Sequence, residues 1–286
     1  MPFIPAHLST FAAVCETGSF EVAAARVGVT PPAVSQRMRA LAEAAGGALF
    51  ARLSPAEPTA LGRRILRHAR ETAALEAGLM ADLGRDGGPR PVRFAVNADS
   101  LEVWTIAAMA EAPGFRFDVV IDDQDHSADL LARGEVSAAV TARASPLPGC
   151  DAWTLGSLRY RAVCAPAFRD AWFPDGPIPN ALARAPVLAF DAKDRLQADW
   201  AAPARLPPPH RIAATAPFQA ALREGLGWGL NPETLLADDL ACGRLVDLDP
   251  SRPHDTPLYW QVSRAMAGAL APLTAAVRRV ARARLR

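Results

Sequence analysis

The stretch SFEVAAARVGVTPPAVSQRMR, Ser19 to Arg39, constrains the chain most. Ser19 is placed to cap a helix whose apolar positions are Phe20, Ala23, Ala24 and Val27, and Gly28 stops it. The small alanines allow close approach of another helix. Thr30 caps the next helix, and Pro31 takes its first position, where a missing N–H costs nothing. Ala33, Val34, Met38 and Leu41 of that helix fall inward. Pro32, Ser35, Gln36 and Arg39 fall on the other side, with Arg37 near its edge. Two helices with a tight turn between them, the second carrying amide, hydroxyl and guanidinium groups, suit insertion into the DNA major groove. Gln pairs bidentately with adenine, Arg with guanine, and Ser reaches base edges or phosphate. The helix start also favours a phosphate. A plain solvated face is the alternative, but it would not need the preceding helix–turn pattern.

The flanks extend this unit. Leu8, Phe11, Ala12 and Cys15 mark a first helix ended by Gly18. After Gly46 and Gly47, residues Leu49 to Leu53 read as a strand and Ser54 to Pro58 as a turn, forming a wing that holds Arg52 near the duplex backbone. Thr59 caps a long helix from about Ala60 to Leu83, rich in Arg at its start (Arg63, Arg64, Arg67, Arg70). Leu61, Ile65, Leu66, Ala69, Ala73, Leu75, Leu79 and Leu83 form its apolar side. Such a stripe needs a partner. The same helix of a second subunit is the simplest, packing on the C-terminal part of its own chain the alternative. From Ser19 to Arg70 eight Arg face three Glu, a local balance of +5 in a chain whose net charge is only +1. That is a footprint for phosphates.

From Pro91 the pattern alternates. Strands at Val92–Val96, Phe115–Asp122 and Val136–Thr141 enclose helices at Leu101–Ala112 and Ser127–Arg133. A second unit follows, with strands at Arg159–Ala165, Pro186–Phe190, His210–Ala214, Gly227–Leu230 and Leu258–Ser263, and a closing helix at Leu270–Arg284. This order implies parallel α/β sheets, which bind ligands beyond the carboxyl ends of their strands. Those ends are Asn97 to Ser100, Asp122 to His126, and Thr141 onward.

FEVAAARVGVTPPAVSQRMRALA, with PTALG downstream, resembles the winged helix-turn-helix of the LysR-type transcriptional regulators. GRDGGPRP, Gly84 to Pro91, matches their hinge. The phrases VNADSLEVW, DDQDHSADLLARGEVSAAVT, GSLRYRAVCAPAF, FDAKDRLQADW, GLGWG and PLYWQ together resemble the branch regulating lysine and arginine export and metabolism, the ArgP/LysG group. The resemblance runs from about residue 5 to 285. Departures are Ala42, where Glu is usual, the small run Ala44 to Gly47, Asn231, where an apolar residue is usual, and the proline-rich Leu206 to Pro209.

The resemblance implies an α/β chain: a winged helix-turn-helix over residues 1–60, a linker helix and hinge over 61–90, and a two-lobed effector domain over 91–286, like a periplasmic binding protein. Lobe I is expected at about 91–160 and 264–286, lobe II at about 161–263. It further implies promoter DNA and RNA polymerase as partners, a homodimer through the linker helix, a tetramer made of two dimers, and activation of an exporter or metabolic gene. The expected DNA-facing residues are Arg26, Thr30, Pro31, Pro32, Ser35, Gln36, Arg37, Arg39, Arg52, Arg63 and Arg64.

A basic amino acid, lysine or arginine, needs carboxylates for its cations and donors for its α-carboxylate. Asp122, Asp123 and Asp125 offer acceptors at one strand end. Asn97, Asp99 and Ser100 lie at a helix N-terminus, which offers donors. Thr141 adds a hydroxyl, Trp104 and Phe190 could wall a cleft, and Asp194 comes from the opposite lobe. Each Asp could equally be a helix cap or turn residue. An organic or aromatic acid is the alternative effector, and a non-regulatory solute-binding protein the more distant alternative.

Catalysis finds little support. There is no G-x-S-x-G elbow, P-loop or H-E-x-x-H, and GLGWG (Gly225–Gly229) lacks the last glycine of a dinucleotide fingerprint. Cys15, Cys150, Cys164 and Cys242 are far apart with no C-x-x-C, so zinc is not expected and no cofactor is assigned. With no signal peptide and no apolar run of about 18 residues, a cytoplasmic protein without a membrane partner is expected.

Overall fold

The computed structural model of the chain describes residues 3–83, 88–122 and 127–286. Helices α1 (Pro5–Thr17), α2 (Phe20–Val27) and α3 (Pro31–Ala45) are delimited by local chemistry. Gly18, Gly28 and Gly46 end them with φ of 68°, 69° and 76°, a region that costs glycine nothing. The Ser19 hydroxyl accepts from the Val22 N–H at 3.3 Å, and Thr30 from Ala33 at 3.4 Å. Leu8, Phe11, Val14, Ala23, Ala24, Val34, Met38 and Leu41 form one buried core. The full-length α3, closed by Gly46, shows that the small Ala44–Gly47 run does not shorten it.

The wing is a hairpin of β1 (Phe50–Leu53) and β2 (Ala56–Pro58). The expected turn over 54–58 is therefore shorter, because three of its residues pair with β1. Phe50 anchors the hairpin against Phe11 and Phe20, with ring centroids 5.2 and 5.4 Å apart. Helix α4 (Ala60–Asp82) begins at Thr59, whose hydroxyl accepts from the Gly62 N–H at 2.9 Å. A Cβ on Gly62 would stand 2.1 Å from the Leu49 carbonyl oxygen, so only glycine lets this helix lie on the wing backbone. Ile65, Leu66 and Ala69 of α4 join the N-terminal core, while Ala74 joins the core of the C-terminal part. The helix thus packs on both halves of its own chain. Leu75, Leu79 and Leu83 remain 48, 59 and 61% exposed.

Beyond the linker come β3 (Arg90–Val96), α5 (Ala98–Ser100), a π-helical turn (Leu101–Thr105), α6 (Ile106–Ala110), β4 (Phe115–Ile121), α7 (Ser127–Ala132) and β5 (Ala138–Thr141). Then follow β6 (Cys150–Cys164), α8 (Pro166–Trp172), α9 (Pro179–Leu182), β7 (Leu188–Ala189), α10 (Leu196–Ala201) and β8 (His210–Arg211). The chain closes with α11 (Thr215–Arg223), β9 (Gly229–Pro232), α12 (Glu233–Ala241), β10 (Val246–Asp247), β11 (His254–Ser263) and α13 (Ala271–Arg284).

The main sheet runs β10–β6–β11–β5–β3–β4, with β9 also on β6. Strands β4, β3 and β5 are parallel, but β11 is antiparallel to both β5 and β6, so the sheet is mixed rather than all-parallel. The small β7–β8 pair is parallel. Strands β6 and β11 are twice the expected length of a globular strand and pass through both lobes. Their ladder slips between Leu258 and Tyr259, opposite Gly156, whose φ is 123°. A Cβ on Gly156 would lie 2.8 Å from the Arg286 carbonyl oxygen, which accepts the Ser157 N–H at 2.7 Å. Glycine is required where the two strands cross from lobe to lobe and the chain's last residues pack on them. Among the described residues, no helix is long and apolar enough to cross a membrane.

Candidate functional site

Two surfaces carry the chemistry. On α3, Pro31, Pro32, Gln36 and Arg39 are exposed and Ser35 is half-buried, next to exposed Thr30. Arg37 behaves differently from expectation: it is half-buried, and its guanidinium donates to the Thr10 hydroxyl at 2.9 Å. Thr10 is fully buried on α1, so Arg37 ties two helices together instead of facing outward. Arg26 is exposed and paired with Glu16 at 2.8 Å. Arg52 pairs with Glu57 across the wing, Arg63 donates to the Pro58 carbonyl at 3.1 Å, and Arg64 is exposed.

The second surface is a cleft of about 470 Å³ between the lobes. From lobe I come Asn97, Asp99, Ile121 and Asp122. Phe190, Lys193, Asp194 and Asn231 come from lobe II, and Tyr160 and Thr256 from the crossing strands. Of the residues expected here, Asn97, Asp99, Asp122, Phe190 and Asp194 are thus brought together. Ser100 lies beneath them, fully buried, with no hydrogen-bond partner for its hydroxyl among the described residues. Asp123 and Asp125 lie outside the described residues.

Trp104 and Thr141 do not wall the cleft. Trp104 sits in the π-helical turn, whose wider winding shifts the phase of the helix, and the indole enters the core. Thr141 is buried in the sheet, its hydroxyl accepting from the Gln261 amide at 3.2 Å. Tyr160, Lys193, Asn231 and Thr256 also line the cleft and are not among the residues expected there. One signal was available: Lys193 is the only lysine in a chain whose other 30 basic residues are arginine.

The electrostatics of the cleft are lopsided. Burial pushes the Asp99 carboxyl up to about 6, only partly opposed by the Tyr160 hydroxyl that donates to it at 2.9 Å, and the charges of Asp194 and Glu102 push it further. Burial also raises Asp194, against the N–H groups of Phe190 and Leu196 that donate to it at 2.8 and 3.0 Å. Among the described residues neither carboxylate is paired with a cation, whereas neighbouring charges are. Lys193 reaches across the cleft to Asp122 at 2.6 Å, Arg159 grips Asp255 with two bonds of 2.7 Å, and Arg195 contacts Asp199 at 3.3 Å. Asn97 Oδ1 and Asn231 Nδ2 are buried without partners among the described residues. Two carboxylates without a cation partner make the cleft complementary to a small polar cation.

The N-terminal residues 5–63 match the bacterial regulatory helix-turn-helix protein family, lysR type, and residues 91–284 match the LysR substrate binding domain. The HTH-type transcriptional regulator LysG of Mycobacterium tuberculosis is 40% identical over 283 residues, covering 96% of this chain and 92% of that protein. A crystal structure of ArgP from Mycobacterium tuberculosis superposes with a TM-score of 0.86 at 39% identity, covering 100% of this chain and 99% of that one. Full-length LysG from Corynebacterium glutamicum with bound effector Arg superposes with a TM-score of 0.74 at 38% identity, covering 99% of each chain. A helix-turn-helix with its polar face free, a long linker helix and a two-lobed domain around a polar cleft thus coincide with both family matches and with full-length relatives. The chain belongs to the LysR family of bacterial transcriptional regulators.

Proposed function

We propose that this regulator senses a basic amino acid, lysine or arginine, in the interlobe cleft, and so controls an exporter or amino-acid metabolism gene. The observation that carries this is the pair Asp99 and Asp194: two half-buried carboxylates from opposite lobes without a cation partner among the described residues. A ligand with two cationic groups would offset the cost of both and draw the lobes together. An organic or aromatic acid would face these carboxylates unfavourably, since Lys193 and Arg195 are already engaged. The bound arginine of the Corynebacterium glutamicum relative supports the same chemistry.

Closure would be read out by DNA. The exposed stripe Leu75, Leu79 and Leu83 on α4 supports pairing with a second copy, which would set two α3 helices at a half-site spacing. A change in lobe angle would then alter the placement of the readers, the bend of the promoter and contact with RNA polymerase. Thermal melts of the full chain with lysine, arginine, histidine, glutamate and benzoate test the effector class. Stabilisation by a basic amino acid and by neither acid is expected; stabilisation by an acid alone would overturn the proposal.

A further inference from the structure

Another cavity, about 490 Å³ in volume, lies where the N-terminal unit meets lobe I, and it matches the interlobe cleft of about 470 Å³ in size. Helices α1 and α4, with Arg26 and Val27 at the end of α2, line one side, and β3 and β4 line the other. No residue of α3 or of the wing lines it, so it is separate from the face that carries Gln36 and Arg39. Leu8, Ala12, Val27 and Phe117 give it apolar walls.

Its charges are unevenly matched. Glu16 is taken by Arg26 at 2.8 Å and Asp118 by Arg93 at 2.7 Å. Arg70 of α4 and Arg116 of β4 also line the cavity, and neither makes a hydrogen bond or ion pair among the described residues. Arg116 is exposed, but Arg70 is half-buried. Burial and the like charge of Arg93, across the boundary between the two units, press the Arg70 guanidinium below the usual arginine range, against the opposing charges of Glu16 and Asp118. The remaining carboxylate, Glu76, is exposed, where water weakens its pull. A half-buried cation that faces a second cation calls for an anion.

We infer that this junction cavity is a second ligand site, for a phosphate monoester carrying an apolar group. A monoester brings nearly two negative charges at neutral pH and three free oxygens, enough to serve Arg70 and Arg116 together, and guanidinium forks pair with phosphate in bidentate fashion. A carboxylate brings one charge and two oxygens. The apolar group lies against Leu8, Ala12 and Phe117. Arg70 belongs to the linker helix and Arg116 to lobe I, so the ligand ties the reader-bearing unit to the effector domain. That makes it an input independent of the interlobe cleft.

Calorimetric titration of the full chain with phenyl phosphate, inorganic phosphate and benzoate, at fixed ionic strength, tests this. Phenyl phosphate should bind at least about 10-fold more tightly than either of the others, since only it offers both the phosphate and the apolar group. Arg70→Gln and Arg116→Gln should each weaken phenyl phosphate about 10-fold or more and leave arginine binding as it is. Neither guanidinium holds another described residue, so both variants should fold, which circular dichroism checks. Arg39→Ala should leave phenyl phosphate binding unchanged. Four results overturn the inference: no binding of phenyl phosphate, inorganic phosphate binding as tightly, undiminished binding in either folded variant, or a loss in Arg39→Ala equal to that in Arg70→Gln, which would put the anion on the DNA-reading face. Arginine binding in the same proteins tests the effector proposal separately, so the two can fail independently.

Discussion

Asp99 illustrates how a residue of the proposed site can work against the fold that holds it. Its folded-state pKa is raised to about 6 from 3.8, chiefly by burial. For an acid this sign means that stability is fully present below the unfolded pKa and is lost as pH rises through the folded one. Above about pH 6 the ionised group therefore costs the unliganded protein on the order of 3 kcal/mol, at ~1.4 kcal/mol per pKa unit. Asp99→Asn keeps an oxygen for the Tyr160 hydroxyl and should raise stability in urea melts at neutral pH. The gain should disappear near pH 4. The same variant should lose stabilisation by arginine. Arg37 gives a second contrast at this scale. Arg37→Ala should lower the melting temperature by removing the α1–α3 link to Thr10. Gln36→Ala and Arg39→Ala should leave the melting temperature unchanged and weaken promoter binding by about 1–3 kcal/mol each in fluorescence anisotropy.

At the scale of elements, α4 is a helix with two jobs on one surface. Its first half is sealed onto the N-terminal core, and a Cβ at Gly62 would meet the Leu49 carbonyl. Gly62→Ala should destabilise the N-terminal unit by ~1–3 kcal/mol, the range for overpacking. Its second half leaves a leucine stripe uncovered. Leu75→Glu with Leu79→Glu should shift the protein toward monomer in sedimentation without changing its circular dichroism, since both side chains are already exposed. The helices of the N-terminal unit were legible in the sequence because their signals are local: capping hydroxyls, a proline at the helix start and glycines at the ends. The second wing strand was not, because Ala56–Pro58 is short and ends in proline. Strand β6 was read as half its length because Gly156 interrupts its pattern, and no local signal separates a crossing point from a strand end.

For the whole molecule, the informative residues are those that meet only once the lobes are in place. Asp99 and Asp194 could be nominated from their strand and loop positions. Tyr160, Lys193 and Asn231 could not, since each reaches the cleft through strand pairing or a contact across many residues of sequence, such as Lys193 to Asp122. Trp104 failed for a related reason, because a π-helical turn reset its direction. Two strands, β6 and β11, run through both lobes, with a slip in their ladder opposite Gly156, and one buried core holds residues of both lobes.

In the proposed sensor, Asp99 and Asp194 seat the effector's cationic groups. Arginine affinity measured by calorimetry from about pH 5 to 8, in the wild-type chain and in Asp99→Asn and Asp194→Asn, tests this most directly. Wild-type affinity should rise with pH through about 6 and then level off, as Asp99 becomes charged. Both variants should bind at least about tenfold more weakly, with the pH dependence lost in Asp99→Asn. Arginine binding of undiminished affinity in both variants would contradict the proposed site.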